Sequence, residues 1–600
     1  MPSPPARGFH ARIAGMAPSG AVDRAACNPA NGDLTARQYS LALALTVLAA
    51  LALRCGLALA DPPWHATVGI VWHDEGAWLH NARNMALFGA WRLDEWNPMY
   101  LSPVFTALEY ASFRLFGVGL WQARLVSALL GTVSVLCLAG AVRQASNRRS
   151  GLIAGMLLAT NYVWVMWNRA ALLETMMVSF MVLSAAAYVR AHRGRAWLWG
   201  MAAGVFAILA FFTKAAAAFF LVALGVEALF AAFRASPRPR HTLRWNSAGV
   251  ATLAGLGIAT AVAVACFVVP NWQEFRFYNW QMSVTRKPAY TLRALVDRAS
   301  WLPVVHDFFT RMWVLLLLAI GGLSGAALRW RAAEPLERLS VLWIGLGCLE
   351  LVAHDVGNER RLVFLIPPMV AMAAMVIGRD RRLLHPDLAG LSRLRALALA
   401  PFVLAAFYLL SGSAVRLGFL YEVRPAVRLG ALLAVSAAAA LYLTWPRLPA
   451  WCSHGRWSST AAAILVAIMV AGDVAQYGQW VLHRTYANYE AMVELRNWLP
   501  PGTLVQGKLA NGLSLESRVR PIFVGNGFGN FDDRLRRADI RYLLTYTRPR
   551  LGYEGRVILD VLAHRPWRIV RTFRVSESTS GDDEAALIEF VPAAPTPAPR

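Results

Sequence analysis

Apolar runs of about 20 residues recur along this chain, with arginine clusters in every second gap between them. A run of that length is what a helix needs to cross roughly 30 Å of hydrocarbon. Within lipid a segment must satisfy its own backbone hydrogen bonds, and a helix does so. The runs lie at 39–60, 120–142, 151–167, 171–189, 197–212, 215–233, 247–270, 311–328, 341–353, 361–378, 396–415, 428–444 and 460–480. Arg143/Arg148/Arg149, Arg190/Arg193/Arg195, Arg234/Arg238/Arg240/Arg244, Arg329/Arg331/Arg338, Arg379/Arg381/Arg382/Arg393/Arg395 and Arg447/Arg456 occupy alternate connections. Basic residues concentrate on the cytoplasmic side of a membrane. The pattern therefore predicts a polytopic α-helical membrane protein of 13 spans, N-terminus cytoplasmic and C-terminus external.

Composition agrees. The chain is 57% hydrophobic and 16% charged, against roughly a quarter charged for a soluble protein. A net charge of +24 raises the question of nucleic acid, but the placement of the charge follows the membrane rule, and no nucleic-acid partner is expected. Only three lysines occur, Lys214, Lys287 and Lys508. The six cysteines (27, 55, 137, 266, 348, 452) are scattered, mostly within apolar runs, and imply no disulfide framework or CxxC metal site.

Residues 1–38 read as a disordered cytoplasmic tail and 39–480 as the membrane domain. Ala58-Leu59-Ala60 resembles a signal-peptidase site, but the apolar segment before it is long and begins far from the N-terminus, so an uncleaved signal anchor is expected. The loops 61–118 and 271–310, the turns near Asn168 and Lys214, the turn 354–360 and the region 481–600 then share the external side. Region 481–591 is more polar and alternates strand-like and helical stretches, as in a small external α/β domain, with a Pro/Ala tail at 592–600. The glycine-rich stretch 524–530 lacks dinucleotide-fingerprint spacing and reads as a loop.

Chemistry concentrates just after the first run, at Asp74-Glu75. Trp78, Ala82 and Met85 follow at helical spacing and Gly89 supplies a stop, so a helix over 75–88 is expected, amphipathic and lying on the membrane surface. A lone Asp here would read as a helix cap. A cap does not account for an acidic pair at the external end of the first span, and the helix dipole would keep Asp74 ionised, as a general base must be.

Asp74-Glu75, the stretch Arg83–Trp91, Ser102-Pro103, the stretch Leu115–Val118 and the stretch Ala123–Leu129 together resemble the first external loop of the C-type membrane glycosyltransferases. The nearest branch includes protein O-mannosyltransferases and the lipid A aminoarabinose transferase. Downstream, the stretches Asn168–Glu174, Ala210–Ala215 and Asn358–Pro368 resemble that family's later motifs. The likeness spans roughly residues 40–380, but the branch's frequent Lys-Pro-Pro motif is replaced by Leu101-Ser-Pro103.

The resemblance implies a transferase that takes a sugar from a polyprenyl-phosphate donor and passes it to a lipid, glycan or protein acceptor outside the cytoplasmic membrane. Asp74 would be the base and Glu75 would orient it or the acceptor. The leaving phosphate needs fixed cations, for which Arg169, Lys214, Arg360 and Arg361 are the candidates. Glu174 is either a site residue or a simple ion-pair partner, and Arg83 and His73 of the first loop are further active-site candidates. His73 and His80 with the acidic pair, and His306-Asp307 and His354-Asp355 on the same side, keep a divalent metal open, but their spacing assigns none, and no cofactor is expected. Trp272, Trp280 and Trp301 read as interfacial belt residues.

Two other classes fit part of the pattern. A transporter or flippase of a lipid-linked glycan would use many spans and an external cationic pocket, but it would show inverted repeats and broken helices, and no internal repeat is visible. A polysaccharide polymerase or ligase would place its long external loop late in the chain, whereas the acidic pair here lies early.

Overall fold

The computed structural model describes residues 34–63, 72–233, 246–285, 288–302, 308–354, 359–378, 459–522, 537, 539–547, 562–576 and 583–591. Among them, eight helices are long and apolar enough to cross a membrane, or nine if one bent pair is a single span. The chain is a multi-pass membrane protein. The expected spans 396–415 and 428–444, most of the N-terminal tail, the loop 524–530 and the tail 592–600 lie outside the described residues.

The first span is α1 (Ala36–Cys55), which starts on a Thr35/Gln38 capping box. Then α2 (His73–Phe88) and α3 (Pro103–Phe116) fill the first loop, and α4 (Leu120–Ala145) crosses back. The next expected span, 151–167, is broken into α5 (Arg148–Thr160) and α6 (Tyr162–Asn168), set at 60°. Four long helices follow, α7 (Leu173–Ala191), α8 (Ala196–Thr213), α9 (Ala218–Phe233) and α10 (Ser247–Ala263). The loop after α10 carries α11 (Trp272–Thr285) and α12 (Leu292–Trp301). Next come α13 (Trp313–Leu328), α14 (Pro335–His354) and α15 (Ile366–Gly378), and α16 (Ser459–Leu482) is the last apolar helix. Within this bundle α7 and α15 are buried over most of their length.

The weakest expected span, 341–353, is the end of a longer helix. α14 starts six residues earlier and takes in Glu337 and Arg338. Arg338, which the arginine count put in a polar connection, is buried instead, and it bonds Glu227 of α9 with Nη2 to Oε1 at 2.8 Å. Two opposite charges bonded to each other can enter the bundle where either alone could not.

Residues 487–590 build α17 (Ala487–Trp498), a short α18 (Lys508–Leu513) and a five-stranded mixed sheet. Its strands are β1 (Leu504–Gln506), β2 (Arg520–Ile522), β3 (Tyr542–Tyr546), β4 (Trp567–Val575) and β5 (Asp583–Phe590), ordered β2-β1-β3-β5-β4. β1 runs parallel to β2 and β3, while β5 runs antiparallel to β3 and β4.

This region is locked onto the first loop. Asp61 accepts the Thr485 hydroxyl and the Ala487 backbone N–H, both at 2.7 Å, and so caps α17 from outside the helix. Glu516 accepts the Leu120 N–H at the head of α4. The Arg83 guanidinium is buried and donates to the carbonyls of Ser514, Ser517 and Val519. Asn511 bonds His80 at 2.9 Å.

These contacts change the expected character of α2. It begins at His73, two residues early, on Trp72 with no side-chain cap, and it ends as expected on Gly89 in the left-handed region (φ 72). It is not a one-sided helix resting on the membrane, because ten of its residues are buried between α3 and α18. Gly76 and Gly512 make that approach possible. A Cβ on Gly76 would stand 1.9 Å from the Asn511 carbonyl oxygen, and one on Gly512 would stand 2.9 Å from His73 Cα.

A candidate active site at the head of the first loop helix

Asp74 lies in the first turn of α2, where the helix dipole favours a negative charge. Its Oδ2 accepts from Arg360 Nη1 at 2.8 Å. Arg360 sits on a short 3-10 turn, Glu359–Arg361, just before α15. The neighbouring Glu359 is buried and accepts the Trp167 indole N–H at 3.0 Å, which fixes that turn against α6.

Arg360 Nε also stands 3.7 Å from Glu174 Oε1. Glu174 opens α7 and takes a close ion pair from Lys214. Lys214 ends α8 in extended backbone (φ −156, ψ 124), where the chain breaks before a 3-10 turn and α9. Four elements thus deliver a line of alternating charge, Asp74–Arg360–Glu174–Lys214. Glu174 is buried (4% exposed), whereas Asp74, Arg360 and Lys214 keep 24, 17 and 21% of their side chains exposed. The buried carboxylate holds two cations in place, and those cations and Asp74 face accessible space.

The other residues singled out in the sequence divide by position. His73 is buried, with Nε2 3.8 Å from Asp74 Oδ1 and its ring edge-on to Trp72. Glu75 points away from Asp74. It is 1% exposed, accepts two bonds from Arg124 at 2.9 and 2.7 Å, and accepts the Ala171 N–H at 2.7 Å. Arg169 is turned toward α1. It donates to the Leu53, Arg54, Gly56 and Leu57 carbonyls and lies over the Trp480 ring. Arg361 shares the turn with Arg360 and is half-buried. Arg83 is spent on the C-terminal carbonyls described above.

Among the described residues, no group of three or more His, Cys, Asp or Glu is arranged to hold a metal ion. His80 is committed elsewhere, with Nε2 2.8 Å from Asp94 and Nδ1 bonded to Asn511. Trp272 and Trp280, on α11, are both exposed, as belt residues would be.

Sequence reasoning missed Arg124. It stood inside the stretch Ala123–Leu129 with nothing to mark it as the partner of Glu75, 49 residues away. It also missed Glu359, whose burial is visible only in the folded chain.

The same fold occurs among solved structures, and part of the chain matches a family model. Residues 101–264 match the family model described as dolichyl-phosphate-mannose-protein mannosyltransferase. Among solved structures, ArnT from Cupriavidus metallidurans in the apo state is 16% identical. It matches with a TM-score of 0.52 over 91% of this chain and 97% of that one. The same protein bound to undecaprenyl phosphate is also 16% identical, with a TM-score of 0.50 over 92% and 97%. No curated protein matches the chain in sequence. The chain therefore shares the fold of ArnT from C. metallidurans, and its segment 101–264 carries the pattern of the mannosyltransferase family model.

Proposed function

We propose that the chain moves a sugar from a polyprenyl-phosphate donor to a lipid, glycan or protein acceptor on the external face of the cytoplasmic membrane. The N-terminus would be cytoplasmic and region 481–591 an external domain. The observation that carries this reading is the line Asp74–Arg360–Glu174–Lys214, which sets a partly exposed carboxylate beside two partly exposed cations. The undecaprenyl phosphate bound by the C. metallidurans protein of the same fold agrees with a lipid-phosphate donor.

The chemistry follows from the charges. An acceptor hydroxyl attacks the anomeric carbon from the face opposite the phosphate. The carbon–oxygen bond to phosphate breaks, and the polyprenyl phosphate leaves with the electron pair and one more negative charge. The acceptor proton goes to Asp74, and the configuration inverts. Arg360 and Lys214 are fixed charges that gain most when the leaving phosphate is fully ionised. Arg360 is bonded to Asp74 in the structure. A donor phosphate would draw that guanidinium toward itself and leave the carboxylate able to take a proton. Glu75, tied to Arg124 and to the Ala171 N–H, would hold the head of α2 in position rather than touch substrate.

The test is transfer by the purified protein in lipid, with a polyprenyl-phosphate sugar and wild-type, Asp74→Asn or Lys214→Ala protein. Loss of transfer in both folded variants supports the assignment, and near-normal transfer by Asp74→Asn overturns it.

A further inference from the structure

A second basic site lies at the other end of α7. Glu174 opens this helix and Arg190 lies in its last turn. Sixteen residues at 1.5 Å each separate them by about 24 Å. Beside Arg190 is a cavity of about 350 Å³ lined by Arg143, Arg190, Arg193 and Arg195, with Gln144 and Trp199. The arginines come from separate elements. Arg143 ends α4, Arg190 ends α7, and Arg193 and Arg195 belong to the turn before α8.

Surface arginines on one membrane face are ordinary; convergence on one concavity is not. Arg190 lies over the Trp199 ring at 4.2 Å and Arg143 over the Tyr39 ring at 5.3 Å, so both are held rather than splayed. Arg195 takes the left-handed backbone region (φ 47), which residues with a Cβ seldom occupy. Among the described residues, the structure gives this set one carboxylate partner, Glu334, bonded to Arg193 at 3.1 Å. Four cations around one hollow repel each other, and an anion there relieves that repulsion.

The surroundings favour a lipid. Trp197 and Leu198, in the first turn of α8, are 58 and 57% exposed, as expected of side chains that meet a membrane interface. Basic hollows between helices on one membrane face hold anionic headgroups. We propose that this cavity binds the phosphodiester headgroup of an anionic phospholipid in the leaflet opposite the candidate active site.

Binding is measured with the full chain in nanodiscs of phosphatidylcholine, titrated with fluorescent phosphatidylglycerol. Wild-type protein should take up the anionic probe in preference to a phosphatidylcholine probe. The Arg143→Ala/Arg190→Ala/Arg195→Ala variant should bind it on the order of tenfold or more weakly, and the matching lysine variant should keep most of the binding. If the alanine variant does not fold, the lysine variant and single Arg190→Ala carry the test. Equal uptake by wild type and the folded variants overturns the site. So does an equal loss on removing Arg148, Arg149 and Arg331, which would make it a property of the whole face. Displacement of the probe by millimolar inorganic phosphate, with no preference between the two lipids, would mark a soluble-anion site and overturn the lipid assignment.

Discussion

Arg360 donates to Asp74 at 2.8 Å across 286 residues of sequence. That bond closes the candidate site, since it ties the first loop to the turn before α15 and, through Glu174, to the ends of α7 and α8. The same carboxylate that would take the acceptor proton is held by a cation that would take the leaving phosphate.

Asp74→Asn should therefore lower transfer about 10²- to 10⁴-fold, the usual contribution of a positioned base. Donor binding should change little. Single-turnover rates at saturating donor, with thermal unfolding to confirm folding, check this.

Arg360→Ala should weaken donor binding and slow transfer together, because a charge-assisted hydrogen bond is worth about 1.5–3 kcal/mol. Arg360→Lys should recover part of it, since a point charge cannot bridge Asp74 and Glu174 as a planar fork does. Donor titration of both variants gives the comparison, and equal behaviour of Ala and Lys would count against the phosphate role.

Arg124→Ala should destabilise the protein by about 3–5 kcal/mol, because it leaves Glu75 charged and buried without its partner. A double variant with Glu75→Gln should be less damaged than the sum of the single ones. Thermal unfolding in detergent of the two single variants and the double variant measures the coupling.

Glu109, on α3, is buried, and neither of its oxygens has a hydrogen-bond partner among the described residues. Burial first, and then the negative charge of Glu75, push its carboxyl well above the ordinary value of 4.5. The folded state thus holds this proton more tightly than the unfolded state does. The group's contribution to stability is fully present below about 4.5 and is lost as pH rises through the raised pKa. Glu109→Gln should flatten that fall and leave the protein more stable than wild type at alkaline pH. Melting temperature against pH for the two proteins decides it.

Gly76→Ala should loosen α18 from α2, because the added Cβ meets the backbone carbonyl of Asn511, which cannot swing away as a side chain would. Protease sensitivity of region 481–591 should rise while the bundle stays folded. Gly140→Ala, where a Cβ meets nothing within 4 Å, is the matched control.

The sequence by itself determined the membrane class, most helix positions, the end of α2 at Gly89 and the prominence of Asp74, Lys214 and Arg360. These are local properties: the length of an apolar run, a left-handed glycine, a charge where lipid disfavours it. Helix α14 was misjudged because its charged first turn is neutralised from α9 by Glu227. Glu75, Arg83 and Arg169 could not be sorted from the charges that line the candidate site, since an isolated charge does not reveal its partner. Only the tertiary structure showed that Glu75 faces Arg124, that Arg83 and Arg169 cap carbonyls, and that α2 is clasped by α18. Each of those contacts joins residues tens to hundreds of positions apart, and the pairing of long-range charges is settled by which elements pack together.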